Sequence, residues 1–145
     1  MIQWIAMGEL SRIGVAIDSE LLEKFDKLIG KRGYSNRSEA FRDLIRNELI
    51  QETWQSSEAE VFGTVTLVYD HHARLLPEKL ADLQHKYFAA IVSTVHVHLD
   101  HHNCLEVILV RGKPAMVQKL ADSMIAMKGV KHGRLTATTS GLDLP

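Results

Sequence analysis

Apolar and polar residues alternate from Arg12 to Ile17, with Ile13, Val15 and Ile17 on one face and Arg12, Gly14 and Ala16 on the other. A period of two predicts a short strand. The period then lengthens. Leu21, Leu22, Phe25, Leu28 and Ile29 recur at helical spacing behind Asp18, a residue type that caps helix N-termini. Gly33 stands where a left-handed residue would close that helix. Asn36, with Glu39 three residues on, has the form of a capping box and opens a second helix with the stripe Ala40, Phe41, Leu44, Ile45 and Leu49. Residues 9–50 thus read as a β-α-α unit.

Such a unit buries too little apolar surface to stand alone, and its one strand has no partner of its own. Antiparallel pairing of two copies over four packed helices answers both needs with the commonest oligomer symmetry. The ribbon's outer face would then carry Arg12, Gly14 and Ala16 of each copy, at a width that suits the DNA major groove.

Residues 51–60 (QETWQSSEAE) are polar and read as a linker, or as a prolongation of the second helix. A second unit follows over residues 61–139. Val61–Tyr69 is β-rich; Leu76, Leu80, Leu83, Tyr87, Phe88 and Ile91 form a helical stripe; Ile91–Leu99 and Leu105–Val110 are strands. Pro114 opens a helix with Met116, Val117, Leu120, Met124 and Met127 inward, and Val130–Thr138 closes the order β-α-β-β-α-β, a ferredoxin-like arrangement. The whole is α+β.

Composition narrows the function. At 145 residues the chain suits one medium domain or two small ones, and no apolar run approaches a membrane span. The opening MIQWIAMGEL lacks a basic region and makes a poor signal peptide, with Met7 an alternative start. One cysteine excludes an internal disulfide framework and fits a reducing cytoplasm. The net charge of −1 gives no global sign of nucleic-acid binding. Of eight histidines, seven fall between His71 and His102, which makes metal binding a serious candidate.

The stretch Thr94–Leu105 (TVHVHLDHHNCL) concentrates that chemistry. Residues two apart on a strand share a face, so His96 and His98 aim at one place. If the chain turns back through Leu99–Asn103, Cys104 sits across from His98. Two imidazoles and a thiolate then make a transition-metal site with one ligand missing. The plainer alternative is two histidines on a polar strand face and a buried cysteine. Glu106 shares the face of Cys104 and either orients a ligand histidine or is an ordinary strand glutamate. His71 and His72 read equally as solvated loop residues and as ligands of a weaker secondary site. His101 and His102 fall at the hairpin tip, and His132 has no evident role.

Together these features resemble the nickel-responsive transcriptional regulators of the NikR family. The carriers are GYSNRSEAFRDLIR, VYDHH, LQH at Leu83–His85, STVHVHLDHHNCLEV and GVKHG at Gly129–Gly133, so the likeness spans the chain from about Glu9 to Leu135. It implies an N-terminal ribbon-helix-helix domain, an intertwined dimer, joined to an ACT-type, ferredoxin-like domain that binds nickel and tetramerises. It implies one Ni(II) per subunit, held by His96, His98 and Cys104 of one chain and His85 of a neighbouring one. A plane of three imidazoles and one thiolate suits Ni(II), whereas zinc favours a tetrahedron.

The likeness further implies a cytoplasmic homotetramer, a dimer of dimers with intersubunit metal sites, that represses nickel-uptake genes by binding a double-stranded operator. Membrane and protein substrates have no place in it. On the ribbon, Arg12 is the base reader, flanked by Gly14 and Ala16 where some relatives carry hydroxyl residues. Asn36, Arg37 and Ser38 form a phosphate anchor at a helix start, and Arg74 reaches the DNA backbone. Glu39 and Asp43, spaced i,i+4, match a secondary cation site for potassium at the domain interface, with an ion-paired acidic patch as the bland alternative. Two other functions compete: a metalloenzyme with an open position at the hairpin, and an antitoxin-like ribbon-helix-helix protein.

Overall fold

The computed structural model describes residues 8–56, 58–142 and 144–145. The apolar opening segment and the alternative start at Met7 lie outside the described residues. The chain forms two compact units, divided between Asn47 and Glu48, with residues 144–145 joining the first.

In the first unit, α1 (Ser19–Lys31) and α2 (Arg37–Ser56) stand where the apolar stripes predict them. The Asp18 carboxylate accepts from the backbone N–H of Glu20 and Leu21 and caps α1. At the other end Gly33 adopts φ +83°. Its N–H donates to the Gly30 carbonyl and that of Tyr34 to Ile29, a Schellman closure that a side chain at residue 33 would strain. Asn36 caps α2 by accepting the Glu39 N–H at 2.9 Å. The reciprocal half of the expected capping box is not made, because the Glu39 side chain pairs with Arg42 instead. Phe25 packs on Phe41 with ring centroids 5.0 Å apart, and Ile29 and Ala40 are buried.

The predicted first strand has no ladder in the single chain: residues 8–18 carry no strand. Ile13 is 79% exposed and Val15 62%. A strand exists only by pairing, and the described residues of one chain offer it no partner. Between this segment and the helices lies a groove of about 730 Å³ lined by Ile13, Val15, Leu22, Phe41 and Ile45.

α2 runs on through residue 56, so the first six positions of the expected linker are helical. The reason is Trp54, which packs against the core of the second unit and donates its indole N–H to the Thr138 carbonyl at 2.9 Å.

The second unit has the order β1 (Val61–Asp70), α3 (Leu76–Lys86), β2 (Ile91–His98), β3 (Asn103–Gly112), α4 (Pro114–Ile125), β4 (Val130–Thr138). The strands lie in the order β2-β3-β1-β4, each antiparallel to its neighbours, as a β-α-β-β-α-β chain requires. Alternation in β1 and β3 sends Val65, Leu67, Tyr69, Cys104, Ile108 and Val110 inward, with Leu80, Leu120 and Met124 in the same core. α3 stops at Lys86, short of the expected Ile91, because residues 87–90 turn back into β2 (the Ala90 N–H donates to the Tyr87 carbonyl). Phe88, counted in the helical stripe, is consequently 75% exposed.

Candidate metal centre

β2 and β3 form the predicted hairpin, and its register places His98 opposite Cys104 and His96 opposite Glu106. The turn is closed by the Leu99 N–H donating to the Asn103 carbonyl. Asp100 fixes it from inside, accepting from the N–H of His102 and Asn103 at 2.7 Å and from Asn103 Nδ2 at 2.9 Å. Those donors, the Asn103 side chain first, hold the Asp100 carboxyl down at about 2. A depressed folded-state pKa stabilises above the ordinary value of 3.8 and loses that contribution as pH falls toward 2. Asp100→Ala is therefore expected to speed amide hydrogen exchange at His102 and Asn103 at neutral pH, and the difference from the parent chain should vanish as pH approaches 2.

Cys104 is fully buried and lies at a junction of rings. Its Sγ is 3.4 Å from His98 Nδ1 and 3.6 Å from His71 Nδ1. Ligand atoms of His71, His98 and Cys104 all lie within 4.8 Å of one another, and they are the one such group of three or more among the described residues. His71 arrives because β1 pairs with β3 down to Asp70–Asn103, after which its N–H donates to the His102 carbonyl. The ring of His96 is 5.1 Å from that of His98 and its Nδ1 turns to Tyr69. His85 is exposed on α3, outside the cluster. At the tip, His72 Nε2 contacts the His101 carbonyl at 3.0 Å and its ring lies 5.5 Å from His102.

Burial pushes the Cys104 thiol up from its ordinary value, and the carboxylates of Glu106, Asp100 and Asp70 add to that. A divalent cation reverses this balance, since a coordinating thiol is deprotonated outright. Glu106 is itself 6% exposed and receives two neutral donors, Tyr69 Oη and Gln84 Nε2, each at 2.8 Å. A buried carboxylate on the same strand face as the thiol and opposite His96, held by two neutral donors, fits a divalent metal held by soft and borderline donors.

Comparison with known proteins decides what the arrangement belongs to. Residues 62–138 match the model of the NikR C-terminal nickel-binding domain, and residues 11–52 match ribbon-helix-helix proteins of the copG family. The chain belongs to the NikR family. Relatives named putative nickel-responsive regulators are 67% identical in Solibacter usitatus and 57% in Geobacter metallireducens, each over 95% of this chain and 99% of theirs. The family is one of nickel-dependent transcriptional regulators, not enzymes, which removes the metalloenzyme alternative; the nickel-binding domain removes the antitoxin-like one. An uncharacterized protein of Thermotoga maritima shares the fold alone, with a TM-score of 0.50 at 12% identity over 56% of this chain and all of that one.

The residues expected to contact DNA are all exposed. Arg12, Gly14 and Ala16 are exposed on the unpaired segment, and Asn36, Arg37 and Ser38 are exposed at the start of α2. The Arg37 guanidinium is engaged with Asp26 through two hydrogen bonds, at 2.8 and 2.9 Å, bracing α2 against α1. Arg74 is exposed between β1 and α3. Asp43 accepts from Tyr34 Oη at 2.7 Å and from Arg46 at 3.1 Å, and Glu39 pairs with Arg42. No helix is long and apolar enough to cross a membrane among the described residues.

Proposed function

We propose that this chain is a cytoplasmic, Ni(II)-dependent repressor of nickel-uptake genes that binds its operator as a homotetramer. The observation that carries the metal half is the buried Cys104 thiol, 3.4 Å from His98 Nδ1, with the buried Glu106 carboxylate, which forms no ion pair among the described residues, on the same strand face. Each subunit binds one Ni(II) through His96, His98 and Cys104 together with His85 of the partner subunit. His71 reaches the same thiol and serves as a supporting or secondary ligand. Bound Ni(II) ties the hairpin of one copy to α3 of another, so occupancy depends on assembly. Two apolar surfaces support that assembly: the groove beside Ile13 and Val15, and the outer face of the hairpin, where Val95 is 57% and Val97 44% exposed.

On the DNA side, Arg12 reads bases from the ribbon, with Gly14 and Ala16 allowing close approach. The N-terminal amides of α2 at Arg37 and Ser38, and the Asn36 side chain, anchor phosphates. The side chain of Arg37 is committed to Asp26, so its part is played by its backbone. Arg74 adds a phosphate contact. The secondary cation, potassium, belongs at Glu39 and Asp43, and its binding there requires Arg42 and Arg46 to release those carboxylates.

Gel-shift titration of the full chain with and without Ni(II) tests the reading: affinity for operator DNA should rise with metal, and indifference to metal would remove the sensor mechanism. In the same assay Arg12→Ala should lose operator preference, by about 1–3 kcal/mol if one bidentate base contact goes, while binding to unrelated DNA persists. Equal loss on all DNA would make Arg12 a phosphate contact.

A further inference from the structure

Tyr69 lies on β1 opposite Cys104 and is 2% exposed. Its hydroxyl donates to Glu106 Oε2 at 2.8 Å and stands 3.4 Å from His96 Nδ1, the two rings edge-on at 88°. Glu106 is held from the other side as well. Its Oε1 accepts from Gln84 Nε2 at 2.8 Å, and Gln84 Oε1 accepts from Thr94 Oγ1 at 3.0 Å. None of the ion pairs among the described residues involves Glu106.

Counting protons fixes the direction of each contact. A phenol has one hydrogen to give, and a carboxylate is the strongest acceptor in reach, so that hydrogen goes to Glu106. Only lone pairs of the hydroxyl remain to face His96. An unprotonated Nδ1 would set lone pair against lone pair; a protonated Nδ1 makes a long, weak hydrogen bond. Neutral imidazole carries one proton, so a proton on Nδ1 leaves Nε2 free to ligate.

We infer that Tyr69 is a positioning residue of the metal centre: locked onto Glu106, its hydroxyl holds His96 in the Nδ1–H tautomer and presents Nε2 to the metal. This rests on His96 being a ligand, as proposed above. The relay also closes the charge. A divalent ion with one thiolate keeps one positive charge, and the Glu106 carboxylate, two bonds away through Tyr69 and His96, balances it in a buried setting. Gln84 and Thr94 serve as the outer brace of that carboxylate.

The test is done on the full-length apo-protein with ¹⁵N-labelled histidine, about two units above the ordinary histidine pKa of about 6.5. Long-range ¹H–¹⁵N correlation, with His96 assigned by its disappearance in His96→Ala, should show the proton on Nδ1. Tyr69→Phe keeps the ring and removes the hydroxyl. It should move His96 toward the Nε2–H form and weaken Ni(II) binding roughly 10–100-fold, with the thiolate charge-transfer band intact at saturation. Finding His96 protonated on Nε2 in the parent apo-protein overturns the inference, and that spectrum decides even if Tyr69→Phe fails to fold. An unchanged tautomer and affinity in a folded Tyr69→Phe overturns it too. His96→Ala separates the two levels: unchanged nickel affinity there removes His96 as a ligand, whatever Tyr69 does.

Discussion

Replacing Cys104 by alanine is expected to erase the near-ultraviolet thiolate-to-nickel charge-transfer absorption that develops when apo-protein is titrated with Ni(II), and with it the nickel dependence of DNA binding. The chain has one cysteine, so no second thiolate can substitute. The loss removes the only soft donor of the proposed set, the one that favours Ni(II) over harder cations. The fall in affinity should exceed the roughly 10–100-fold that removal of a merely supporting partner costs. Alanine fills most of the space of the buried side chain, so circular dichroism should show an intact fold. A charge-transfer band that survives the substitution would sink the ligand assignment.

The second large effect concerns the segment before α1. Ile13 and Val15 stand exposed over a groove that ends at Leu22, Phe41 and Ile45, on a backbone stretch with no ladder of its own. In the proposed ribbon these side chains become the dimer core, so Val15→Asp would bury two unpaired carboxylates on one two-fold axis. A penalty of about 4 kcal/mol raises a dimer's dissociation constant roughly a thousandfold. Light scattering should then show assemblies held through the C-terminal units alone. Operator binding should be lost with or without metal, while the nickel titration stays near that of the parent. Retained operator binding by Val15→Asp would place the dimer contact elsewhere.

Much of this was legible in the residues because it depends on local periods. The β-α-β-β-α-β order follows from apolar spacing, and the facing of His98 and Cys104 follows from an odd number of residues in Leu99–Asn103. What escaped depends on pairing between distant segments. His71 reaches Cys104 only through the β1–β3 register, which strand alternation does not specify. Local periods do not single out Tyr69 and Gln84 as site residues, yet the sequence carries a signal. Glu106 falls on the inward parity of a strand whose neighbours are Cys104 and Ile108, and a buried carboxylate must find donors. The helical stripe runs on through Phe88 because periodicity marks where a helix is favourable, not where the chain must turn to begin the next strand. The first strand is visible as a pattern and absent from the single chain for the converse reason: in the proposed ribbon its hydrogen bonds are made with a second copy.

The enclosure of Cys104 has a practical side. A thiol with 0% exposure reacts with a disulfide reagent only while the hairpin is open, so the modification rate of the unaltered chain counts openings of that one element. Because no other cysteine contributes, the protein carries its own clock for the local stability of β2 and β3, readable in apo and metal-loaded samples without any engineered label.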